Sequence, residues 1–81
     1  MAKLPQVLVN VEVAERGALE GAGPVWEAVE REAGELEGRG RVLLRASGTE
    51  PVVRVMAEAP TRDEAEAVCA RLAGVVRDEL A

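Results

Sequence analysis

The chain contains no histidine, tyrosine or phenylalanine, and it has one cysteine and one tryptophan. Without histidine there is no imidazole base and no His-ligated zinc. A single thiol, Cys69, excludes an internal disulfide and any multi-cysteine metal centre. With Trp26 as the only aromatic residue, a core has to be built from Val, Leu and Ala. No apolar run approaches the roughly 18 residues of a membrane-spanning helix, and the first residues carry no apolar signal segment. Basic residues are outnumbered too, 10 Lys and Arg against 15 Asp and Glu, for a formal charge of −5. Duplex nucleic acid is held through many cationic contacts to phosphate, so an acidic chain suits it poorly as a whole. The expectation is a soluble, cytoplasmic protein without nucleic-acid or membrane partners. A local basic site remains open to it.

What is present fits one small domain spanning residues 1–81. Hydrophobic residues make up 48% of the chain, enough for a modest core. A domain of this size holds on the order of a few kcal/mol of stability. Gln6 to Val13 alternates: Val7, Val9, Val11 and Val13 point one way, and Gln6, Leu8, Asn10 and Glu12 the other. That is the pattern of a half-buried strand. Residues 14–23 hold Gly17, Gly21 and Gly23 and are expected to be a connecting loop. Pro24 suits the first position of a helix, where its missing N–H costs nothing. Val25, Val29, Ala33 and Leu36 then recur at helical spacing, and Gly38-Arg39-Gly40 should break the helix near Glu37. Gly34 weakens it by about 1 kcal/mol relative to alanine.

Two further strands, RVLLRA and VVRVMAEA, flank the loop within RASGTEP. Thr61 followed by Glu64 makes a capping box for a last helix. Its apolar stripe is Ala65, Val68, Cys69, Leu72, Val75, Val76 and Leu80, so Cys69 belongs to the core rather than to catalysis. The order β-α-β-β-α implies an α+β fold, a mostly antiparallel sheet with two helices packed on one face. The other sheet face is then open.

Alternation decides what that open face carries. Val42, Leu44, Val53, Val55 and Ala57 form the apolar set. Arg41, Leu43, Arg45, Val52, Arg54, Met56 and Glu58 therefore share the opposite side. Arg45 and Arg54 thus emerge together beside the loop. Ser47 and Thr49 offer hydroxyls, and Gly48 allows close backbone approach. An arginine fork can match two phosphate oxygens at once. Glu50 must point away from such an anion or pair with an arginine. The same residues also suit an ordinary turn with solvated arginines, so spacing leaves both readings open. A P-loop pattern is absent.

The stretch GRVLLRASGTEPVVRVMAEA, Gly40 to Ala59, closely resembles the C-terminal domain of the α-D-phosphohexomutases, and within them the bacterial phosphoglucosamine mutases most. LPQVLVNVEV, Leu4 to Val13, resembles the start of that domain. The core pattern R-x-S-G-T-E-P-x-x-R-V is long and specific. The resemblance implies the last of four domains, with a TATA-binding-protein-like fold. It implies a parent enzyme that interconverts glucosamine 6-phosphate and glucosamine 1-phosphate on the route to UDP-N-acetylglucosamine. In such enzymes a first-domain phosphoserine donates the phosphoryl group, Mg²⁺ is held in the second domain, and the third reads the sugar. The fourth grips the phosphate that is not transferred.

By position, Arg45, Ser47, Gly48 and Thr49 fall on the phosphate-binding loop, and Arg54 on the arginine that follows it. Ser47 is the only serine, so no phosphoserine context exists. Asp63 and Asp78 stand far apart, so no D-G-D metal motif exists either. The chain is therefore expected to hold no cofactor of its own and not to catalyse alone. Its implied partners are a phosphosugar and the other three domains, from which it looks excised or separately produced. The alternatives are the same domain of a phosphomannomutase or phosphoglucomutase, or a stand-alone anion-binding or protein-interaction module. Leu43, Val52 and Met56 would carry the last of these.

Overall fold

A computed structural model describes residues 4–80 of the chain. Its elements run β1 (Gln6–Glu12), a 3-10 helix (Arg16–Gly21), α1 (Gly23–Leu36), β2 (Arg41–Ala46), β3 (Val52–Glu58) and α2 (Arg62–Leu80). The sheet is antiparallel throughout, in the order β1-β3-β2, so the last strand in sequence lies in the middle. Helix α2 packs on β1 and β3, and α1 packs on β2 and against α2. The α+β fold expected from the sequence is the one observed.

The central strand explains the layering. Val53, Val55 and Ala57 have no exposed surface, and Val11, Leu44, Val68, Leu72 and Val76 close over them. Val7, Val9 and Val42 are half-buried at the margins of the same core. Strand side chains alternate between faces, so every other residue of β3 is turned away from the helices. Cys69 is buried as expected, its Sγ 3.3 Å from the Val7 carbonyl oxygen, and burial pushes its thiol pKa up. It is a core residue.

Four details differ from the sequence reading. Residues 16–21 form a 3-10 helix rather than loop, anchored by buried Leu19; the Trp26 indole N–H donates to the Leu19 carbonyl at 2.8 Å. Helix α1 starts at Gly23, one residue before Pro24. Its buried face is Val25, Ala28, Glu32 and Leu36, with Val29 at the side and Ala33 exposed. A charged Glu32 occupies that face because Arg71 reaches over from α2 and binds it with two nitrogens, each contact 2.7 Å. That bidentate pairing raises the Arg71 pKa and ties the helices together.

The capping box is half formed. Thr61 Oγ1 accepts the Glu64 N–H at 3.1 Å, but the Glu64 carboxylate turns to Arg39, 3.3 Å away. Helix α1 ends with Glu37 in a left-handed conformation at φ 49°, followed by Gly38 at φ 81°.

Gly40 has a different role, since a methyl group there would overlap the Glu58 backbone carbonyl. No such neighbour faces Gly34 in the middle of α1. Gly34→Ala should therefore raise the unfolding free energy by about 0.5–1 kcal/mol, through helix propensity and a less disordered unfolded chain. Gly40→Ala should lower it. Urea denaturation of the two variants checks both signs.

Candidate anion-binding site

Register brings the two sequence-predicted arginines face to face. Arg45 of β2 is the direct cross-strand partner of Arg54 of β3. Both are exposed, on the sheet face away from the helices. Cross-strand partners have Cβ atoms about 4.5–5.5 Å apart, and like charges set opposite one another destabilise a sheet. Among the described residues neither guanidinium has an ion pair or hydrogen bond. Arg31 and Arg77 also lack one there, but each stands on an exposed helix surface. Among the described residues, only the sheet pair confronts a second cation at matched register.

The loop beyond them is organised from within. Ser47 N donates to the Val52 carbonyl at 2.8 Å, closing the hairpin. Ser47 Oγ accepts from the backbone N–H of Thr49 at 3.4 Å and of Glu50 at 3.3 Å. The serine thus shapes the loop as well as presenting a hydroxyl, a turn motif common to Ser and Thr. Gly48 does not have a positive φ, and a Cβ added there would meet nothing within 4 Å. Neither backbone strain nor packing within the chain requires a glycine at this point. Glu50 is exposed and forms an ion pair with neither arginine.

The same face has three further rows. One crosses Leu43, Met56 and Leu8, of which Leu8 is 59% and Leu43 45% exposed. The next crosses Arg41, Glu58 and Gln6. There the Glu58 carboxylate accepts from Gln6 Nε2 and from Arg41 Nε, each at 2.7 Å. At the loop end Glu12 stands opposite Val52 and adds a negative charge near the arginines. A cleft of about 360 Å³ opens beside the edge of β2, between Trp26, Leu19 and Glu20 on one side and Arg45 and Ser47 on the other. Its far wall is the 3-10 helix that glycine content disguised as loop. Buried Leu19 was the one signal for it. Among the described residues no group of three carboxylate or thiol side chains could hold a metal ion, and no helix is long and apolar enough to cross a membrane.

This geometry can be set beside known proteins. Residues 8–75 match the family model described as phosphoglucomutase/phosphomannomutase, C-terminal domain. The chain belongs to that family. A phosphoglucosamine mutase from Bifidobacterium adolescentis is 56% identical over 78 residues, covering 96% of this chain and 17% of that protein. The solved N-acetylphosphoglucosamine mutase of Aspergillus fumigatus superposes with a TM-score of 0.86 at 39% identity, over 96% of this chain and 16% of that one. Its complex with GlcNAc-6P and magnesium superposes with a TM-score of 0.83 at 40% identity, over 95% and 17%. The chain thus spans about one sixth of the length of these relatives and corresponds to a phosphohexomutase C-terminal domain.

Within this phosphohexomutase domain, the Glu58 row carries a pH dependence. The hydrogen bond from the Gln6 carboxamide does most to hold the Glu58 carboxyl below its ordinary value of 4.5; burial opposes it, and the hydrogen bond and charge of Arg41 lower it further. A depressed folded-state pKa contributes stability that is present in full above the unfolded value. That contribution is lost as pH falls through the folded value. Glu58→Gln should therefore flatten the acid arm of the stability curve below pH 4.5. Unfolding measured across that range should show equal slopes for both proteins if the row contributes nothing.

Proposed function

We propose that this chain is the phosphate-gripping C-terminal domain of a phosphoglucosamine mutase. It forms a single domain over residues 1–81. Arg45, Ser47, Gly48 and Thr49, with Arg54, hold the phosphate of a glucosamine phosphate that is not being transferred. The observation that carries this reading is the Arg45–Arg54 confrontation beside a serine-organised loop. A phosphate dianion placed between the guanidinium forks turns a repulsive pair into two attractive ones. Gly48 leaves room for it, and the Ser47 and Thr49 hydroxyls supply further donors. The relatives named phosphoglucosamine mutase, and the neighbour bound to GlcNAc-6P and magnesium, support the same substrate class.

The reacting groups belong elsewhere in such an enzyme. With Ser47 its only serine and Asp63 and Asp78 far apart in sequence, the chain has neither a phosphoryl donor nor a metal motif. Mg²⁺ serves the parent enzyme outside this domain, and the partners are the remaining three domains and the phosphosugar. Gripping a non-reacting phosphate supplies binding energy that orients and desolvates the reacting end. The parent is cytoplasmic, as its phosphosugar substrate is. The row of exposed Leu8 and Leu43 flanking half-buried Met56 favours a second reading, in which the open face also contacts protein.

Titration with glucosamine 6-phosphate or inorganic phosphate should shift the amide signals of residues 45–49. The affinity should be on the order of millimolar or weaker, since a few exposed charge-assisted bonds oppose a net negative chain. Arg45→Ala should abolish the response. Gly48→Ala should leave stability undiminished and weaken binding. Shifts scattered over other residues, or none at high phosphate, would overturn the site.

A further inference from the structure

The strand order places a residue from a distant part of the sequence in the arginine row. Asn10 of β1 is the cross-strand partner of Arg54, on its other flank from Arg45. The row therefore reads Arg45, Arg54, Asn10 across three strands, and all three residues are exposed on the open face. Two rows away the fold contains a completed version of the same arrangement. There Glu58 on the central strand is gripped from both sides, by the Arg41 guanidinium of β2 and the Gln6 carboxamide of β1.

Both rows have an arginine on β2 and a carboxamide on β1. They differ on β3, where one has a carboxylate and the other a third donor, Arg54. The first row is satisfied within the chain, and the second has every donor and no acceptor of negative charge. From this we infer that Asn10 is part of the anion site, donating from Nδ2 to a phosphate monoester that lies over Arg54 where Glu58 would stand in the sister row. A carboxamide suits the place chemically. Its oxygen can accept from Arg54 while its NH₂ faces the anion, and it has no charge with which to neutralise the guanidinium. An aspartate there would pair with Arg54 and compete with the ligand. This inference rests on the phosphate reading of the Arg45 loop and extends it to β1.

The sequence has one asparagine and one glutamine, so Asn10 and Gln6 give the only two side-chain amide pairs in an NMR spectrum. Titrating the chain with inorganic phosphate at constant ionic strength should move the Asn10 carboxamide signals together with the amides of residues 45–49. The Gln6 pair should stay in place as an internal control. Asn10→Ala should weaken phosphate binding about three- to tenfold, the loss expected for one hydrogen bond of ordinary net strength, since solvent screens the charge at this exposed position. Asn10→Asp should weaken it at least as much, yet raise the thermal midpoint in phosphate-free buffer. A residue with only a structural role would not separate those two effects. If the loop amides shift while the Asn10 pair does not, or if Asn10→Ala binds as wild type does while Arg45→Ala fails to bind, the inference is wrong and the loop reading stands. If the wild-type chain shows no response at all, the loop reading fails and this inference with it.

Discussion

Val53, Val55 and Ala57 must be buried together, and most other features of the molecule follow from that demand. They are the inward residues of the central strand, hydrogen-bonded on both sides and covered by α2 and the neighbouring strands' apolar residues. Because strand side chains alternate, burying these three turns Arg54, Met56 and Glu58 outward. Slipping either flanking strand by one residue would bury charge and expose valine. The register is thus held by the core, and the outer face inherits its pattern without having to stabilise it. A confrontation of two arginines survives there because the hydrophobic layer behind it outweighs the repulsion.

Charge on that outer face is handled in two ways. At the far end Arg41, Glu58 and Gln6 satisfy one another within the chain. In the Arg45–Arg54–Asn10 row the corresponding positions carry two guanidinium groups and a neutral carboxamide but no carboxylate, and the hairpin beside them is shaped by the Ser47 hydroxyl. Between the two lies the row of exposed Leu43 and Leu8 with half-buried Met56. The open face is therefore satisfied within the chain at one end and incomplete at the other, where a ligand's charge would complete it. That division suits the proposed role, in which the domain holds one end of a substrate while another domain reacts with the other.

Much of this was legible in the residues. The alternating valines of β1, the two apolar sets of the hairpin and the stripe of α2 fixed the architecture, because burial at period 2 or 3.6 leaves a direct trace. The face shared by Arg45 and Arg54 could be read from alternation alone. Their direct pairing, and the arrival of Asn10 beside Arg54, depend on β3 lying between β1 and β2, which no local pattern encodes. The 3-10 helix was hidden by its glycines. The buried face of α1 was misread because a charged residue, Glu32, lies on it and is tolerated only through Arg71, far along the chain. Glu64 left its capping partner for Arg39 for a similar reason, since a distant cation competed with a local N–H. Helix caps and periodic faces are local, and ion pairs between elements are not.

The central claim is that Arg45 and Arg54 repel each other in the empty domain and are reconciled by an anion. A double-mutant cycle measures that coupling directly. Unfolding free energies of the wild type, Arg45→Ala, Arg54→Ala and the double variant would be compared in chloride and in phosphate at matched ionic strength. The account predicts an unfavourable coupling in chloride that vanishes or becomes favourable in phosphate. The same coupling in both buffers would show that no anion bridges the pair, and would contradict it.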